Sequence, residues 1–151
     1  MRVYFNTSAL NRPLDDLSSE RVRLEAEAVV GLLAAVESGR VDWVGSAYLD
    51  FEVDQDPDAE RVKRVRSLLR LVSKSVAASR AVAARARDLE RVGFRGLDAL
   101  HMASAEAGGA DLLITTDDRM IRRAVRVGRD LLVRLVTPPE AVALVSGRPS
   151  R

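Results

Sequence analysis

Residues 110–118 read A-D-L-L-I-T-T-D-D, an apolar run that breaks at once into two threonines and two aspartates. Gly108-Gly109 precedes it, and the apolar part is too short for an amphipathic helix, so it predicts a buried strand ending at a polar loop. R-V-Y-F, Arg2 to Phe5, makes the same transition into Asn6, Thr7 and Ser8. V-D-W-V-G-S from Val41, L-V-S-K-S-V from Leu71 and L-L-V-R-L-V from Leu131 are three further short strands. Between them lie segments of helical spacing: about Ser19 to Ser38, stopped by Gly39; Pro57 to Arg70, after the turn signal D-P-D; Ser79 to Val92; Leu97 to Ala107; and Asp118 to Arg126. T-P-P-E from Thr137 opens a last short helix. Strands alternating with helices predict an α/β fold of three layers, α/β/α, around a central, mostly parallel sheet of about five strands. The expected domain spans residues 1–146, with 147–151 as a flexible tail.

The composition narrows the chemistry. A chain of 151 residues, 47% hydrophobic and 30% charged, is the size and balance of one globular domain. No apolar run approaches the roughly 18 to 20 residues that cross a bilayer, and no signal-peptide pattern opens the chain, so no membrane is expected and the cytoplasm is the default location. Cysteine is absent, which excludes disulfides, thiol nucleophiles and cysteine-based zinc sites. With His101 the single histidine, a two-histidine metal site is excluded as well. Carboxylates and arginines remain. Hard oxygen ligands favour Mg²⁺ or Mn²⁺, and the planar arginine fork suits phosphate.

Open parallel sheets bind ligands beyond the carboxyl ends of their strands. Asn6, Thr7 and Ser8 follow the first strand there, and Thr115, Thr116, Asp117 and Asp118 follow the fourth. Glu52 comes after the second strand, and Asp98 opens the helix before the fourth. Oxygen groups gathered at one edge repel one another unless a cation sits between them. V-Y-F-N-T-S-A-L, D-F-E, G-L-D-A-L-H-M-A and L-L-I-T-T-D-D-R-M resemble, in order and spacing, the four motif regions of the PIN-domain family. The resemblance is closest to the toxin half (VapC-type) of bacterial VapBC toxin–antitoxin pairs.

That resemblance implies a nuclease: a hydrolase that cleaves RNA with one or two Mg²⁺ or Mn²⁺ ions. By motif, Glu52, Asp98 and Asp117 match acidic metal-binding, catalytic positions. Asn6 stands where the family has an aspartate, and Asp118 is a possible further ligand. Thr7, Ser8, Thr115, Thr116, Asp118 and Arg119 are the candidate substrate contacts, with Arg119 the foremost. RNA as substrate, an antitoxin protein as possible partner and a homodimer are expected on the same ground. An amide at position 6 removes one full charge. A net loss of even ~2 to 3 kcal/mol would weaken metal binding roughly 30- to 150-fold, so reduced or abolished activity is expected. The alternative is an inactive PIN-fold module that binds RNA or protein. An engineered change, natural degeneration, and a natural variant that still binds metal are all open as origins of Asn6.

Every candidate also has a plainer reading. Asp98, Asp117 and Asp118 could serve only as helix-start acids, and Asn6 as a cap. Glu52 could be a solvated helix residue. His101, one turn after Asp98, reads first as a hydrogen-bonded packing residue. The runs Arg61, Lys63, Arg64, Arg66, Arg70 and Arg119, Arg122, Arg123, Arg126, Arg129 could track phosphates but also suit ordinary amphipathic helices.

Overall fold

The computed structural model describes residues 1–147, so the expected loose tail lies outside the described residues except for Gly147. Five strands form one sheet: β1 (Arg2–Phe5), β2 (Asp42–Ser46), β3 (Lys74–Val76), β4 (Leu112–Ile114) and β5 (Arg134–Val136). Their order is β3-β2-β1-β4-β5 and every pairing is parallel. The helices are α1 (Thr7–Asn11), α2 (Glu20–Glu37), α3 (Ala47–Asp54), α4 (Ala59–Leu69), α5 (Arg80–Arg91), α6 (Gly96–Ala107), α7 (Asp118–Val127) and α8 (Pro138–Ser146). They flank the sheet, with α2 against α8 and α5 against α6.

β1 is central, which explains why Val3, Tyr4 and Phe5 are all fully buried rather than alternating. Val3 lies opposite both Trp43 and Leu112, and Phe5 meets the Trp43 ring edge-on at 5.1 Å. At the end of α6, Gly108 lets the helix press on the sheet, because a Cβ there would collide with Val44 and Val76. Gly109, at φ +73°, then turns the chain toward β4.

Two strands are shorter than their apolar runs. Leu71 and Val72 instead close the turn after α4, with their N–H groups on the carbonyls of Leu68 and Leu69. Leu131 bonds back to Gly128, and Leu132 lies on the surface. Two helices had no place in the sequence reading, α1 and α3. In α3, Ser46 caps the start by accepting the Leu49 N–H at 3.0 Å, while Leu49 and Val53, four apart, are buried.

The strand order reverses between β1 and β4, and the loops leaving these two strands carry Asn6 and Asp117. Such a reversal opens a crevice at the carboxyl edge.

Candidate active site

The two loops are stitched together by buried polar groups. Asn6 caps α1, its Oδ1 accepting the Thr7 N–H at 3.0 Å. That contact identifies the oxygen end of the amide, so Nδ2 faces Thr115 and donates to its Oγ1 at 3.1 Å. Thr115 is fully buried and also accepts the Asp117 N–H at 3.1 Å. With both acceptor sites used, its own hydroxyl hydrogen is left for Ser8 Oγ, 3.4 Å away, which accepts the Thr116 N–H in turn. Asp117 caps α7 through one oxygen, Oδ1, on the N–H groups of Arg119 and Met120.

The acids of three elements sense one another here. Asp98, in the first turn of α6, is half-buried, and its carboxyl is held above its ordinary range. Burial is the main cause; the charges of Asp117 and Glu52 push the same way, and His101 opposes them. Glu52, on α3, behaves differently. Burial alone would raise it, but the His101 hydrogen bond at 3.0 Å and nearby Thr7 bring it below its ordinary range. Thr7 Oγ1 lies close enough to exert that pull, yet it is buried and, among the described residues, meets no hydrogen-bond partner of its own.

Asp118 stands apart. Both of its oxygens are taken by Arg21 at 2.8 Å, a bidentate pair on the surface that holds its carboxyl below the ordinary range. Arg119 is exposed, and among the described residues it makes no ion pair. In the other basic run, Arg61 is committed to Asp15 and to the Asn11 and Leu14 carbonyls, and Arg66 to Asp54. A concavity of about 700 Å³ lies beside the site, lined by Arg21, Leu24, Glu25, Asp118 and Thr137 among others. Of the candidates it includes only Asp118, so the acidic edge, rather than this hollow, is where the chemistry points.

The donor set suits a hard dication in kind: oxygens only, a carboxyl raised by burial and by its like-charged neighbours, and an orphaned hydroxyl beside them. In placement the fit is looser. Among the described residues no three His, Cys, Asp or Glu side chains converge tightly enough to hold a metal ion. Asn6 brings an oxygen but no charge, and that oxygen already serves Thr7.

A family model described as PIN domain matches residues 4–126. The chain belongs to the PIN domain family. Among solved structures, this PIN domain is similar to FitAcB from Neisseria gonorrhoeae, with 18% identity over 90% of this chain and 97% of that one, at a TM-score of 0.58. It is also similar to VapBC2 from Rickettsia felis bound to a DNA fragment from their promoter, with 14% identity over 91% and 98% of the two chains, at a TM-score of 0.56. At these identities the likeness is one of fold. No curated protein matches the chain. Among the described residues no helix is long and apolar enough to cross a membrane.

One polar network had no counterpart in the sequence reading. His101 is fully buried, as a packing residue would be, but both of its nitrogens are engaged, with Glu52 on one side and Tyr4 Oη at 2.6 Å on the other. Tyr4 Oη in turn meets Ser46 Oγ at 2.7 Å. Tyr4 sits inside an apolar run and reads only as core. The spacing of His101 to Asp98 gave no sign of Glu52, the carboxylate it meets.

Proposed function

We propose that this PIN domain is a metal-dependent endoribonuclease, the toxin of a toxin–antitoxin pair, whose activity is reduced or abolished by Asn6. The observation that carries the reading is the half-buried Asp98, its carboxyl raised by burial and then by the charges of Asp117 and Glu52, so that acids from α3, α6 and the β4–α7 loop share one field. A bound Mg²⁺ or Mn²⁺ would relieve that repulsion and supply a Lewis acid against phosphate. Asp98, Asp117 and Glu52 would hold it, with Asn6 contributing at most a neutral oxygen. Thr7, Ser8 and Thr116 line the edge as hydroxyl or backbone partners for a phosphate, Thr115 fixes the two loops, and exposed Arg119 supplies a cation beside them. Asp118, tied to Arg21, orients α7 rather than joining the acids. FitAcB and VapBC2 are named as assemblies, which supports an antitoxin partner for this chain. Homodimer formation and RNA as the substrate class follow from the family resemblance.

A second reading has its own observation. The Asn6 amide donates to Thr115, which a carboxylate could not do, so position 6 is satisfied as an amide. A domain that binds RNA or protein without cutting it would look like this. Mn²⁺-supported cleavage of RNA by this chain beside its Asn6→Asp version separates the two. Cleavage restored by the aspartate, with Mn²⁺ affinity rising about 30- to 150-fold, is the expected result. Two inactive proteins would leave the binding module as the better account.

A further inference from the structure

With a neutral imidazole, the hydrogen bonds that run from Ser46 to Glu52 admit one consistent placement of protons. A carboxylate at Glu52 can only accept, so His101 Nε2 carries a hydrogen and donates to Oε1 across 3.0 Å. A neutral imidazole with its hydrogen on Nε2 presents Nδ1 as an acceptor. Burial pushes the Tyr4 hydroxyl well above its ordinary range, so it stays protonated and donates to Nδ1 at 2.6 Å. Its oxygen then accepts from Ser46, 2.7 Å away, and Ser46 Oγ accepts the Leu49 N–H. Each donor in this buried line points toward Glu52.

Glu52 needs such a hold. It is a long side chain facing the like charge of Asp98, and both repulsion and solvent favour swinging it outward. We infer that Tyr4 and His101 are positioning residues for Glu52, with Tyr4 locking the imidazole as the Nε2–H tautomer so that it grips one carboxylate oxygen and leaves the other for the metal. The inference rests on the metal-dependent reading above. His101 has no exposed surface, so it acts through Glu52 and touches no substrate. Tyr4 is on β1, His101 on α6 and Glu52 on α3, so the line also ties the acid to the central strand.

Because His101 is the single histidine, imidazole ¹⁵N spectra of the full chain at neutral pH contain one residue's signals. They should show hydrogen on Nε2 and a bare Nδ1; hydrogen on Nδ1, or an averaged pair, overturns the assignment. Calorimetric Mn²⁺ binding, measured on the Asn6→Asp chain, tests the consequence. His101→Leu should weaken binding about 10- to 100-fold. His101→Gln, whose amide can still donate to Glu52, should stay within about threefold, and Tyr4→Phe should fall between them. Thermal melts identify a variant that fails to fold, and the Gln and Phe variants decide the matter if the Leu variant does. A His101→Leu protein, or a Tyr4→Phe protein where the former is unfolded, that binds Mn²⁺ like its parent while Glu52→Gln does not overturns the positioning role alone. Mn²⁺ binding indifferent to both Glu52→Gln and Asp98→Asn overturns the metal reading with it.

Discussion

The two ends of α6 carry one acid each, and the chain treats them in opposite ways. Glu106, in the last turn, is buried to 4% side-chain exposure, against the unfavourable negative end of the helix. It is fully compensated: Arg85 Nε donates to Oε1 at 2.7 Å, Arg85 Nη2 to Oε2 at 3.2 Å, and the Leu132 N–H to Oε2 at 3.1 Å. Asp98, in the first turn, has the favourable end of the helix but sits among like charges, with burial and Asp117 both lifting its carboxyl. A carboxylate kept for architecture is given partners by the fold. One left short of them at a strand-reversal crevice is where the proposed dication would bind.

The largest expected effect breaks the compensated end. Arg85→Ala leaves Glu106 buried without its cation and should cost about 3 to 5 kcal/mol in urea denaturation, with no comparable loss in Arg85→Ala/Glu106→Leu. The opposite end should respond with the opposite sign. Asp98→Asn removes the repelled charge and should stabilise the metal-free protein by about 1 kcal/mol while weakening Mn²⁺ binding. The pH dependence follows from the direction of the shift. Because folding raises the Asp98 carboxyl, its favourable contribution is fully present below the ordinary aspartate range and is lost as pH rises through the raised value. The parent should therefore lose this share of stability on going from acid toward neutral pH, and Asp98→Asn should not. Glu52, shifted downward, works the other way: its contribution is present above the ordinary glutamate range and fades as pH falls. The smallest effect concerns the surface pair. Arg21→Ala should cost less than about 1 kcal/mol and leave Mn²⁺ affinity unchanged, because Arg21 and Asp118 are both partly solvated. A large loss of affinity there would return Asp118 to the metal site.

Fold class was legible because β1 and β4, at the middle of the sheet, end in an abrupt change from apolar to polar residues, at Phe5-Asn6 and Ile114-Thr115. Helix ends were legible where a cap residue announces them, as at Asp58, Ser79 and Thr137. α3 escaped because Ala47, Tyr48 and Leu49 continue the apolar run of β2, and only the Ser46 cap separates the two. Glu52, Asp98 and Asp117 could be singled out by their place after strands and before helices. Which neighbour each carboxylate meets was not legible. Asp118 meets Arg21 from 97 positions away, and His101 meets Glu52 from 49 away. Contacts of that span leave no periodic trace in the chain.

The stitch between Asn6 and Thr115 joins segments 109 residues apart. β1 is made first but has nothing to close against on that side until β4 has been synthesised and docked. The crevice therefore cannot close before β4 and Asp117 have been made, and a nascent chain that ends at α5 still lacks Asp98 and Asp117. For a protein whose proposed substrate is RNA, delayed assembly separates the moment of synthesis from the moment of competence.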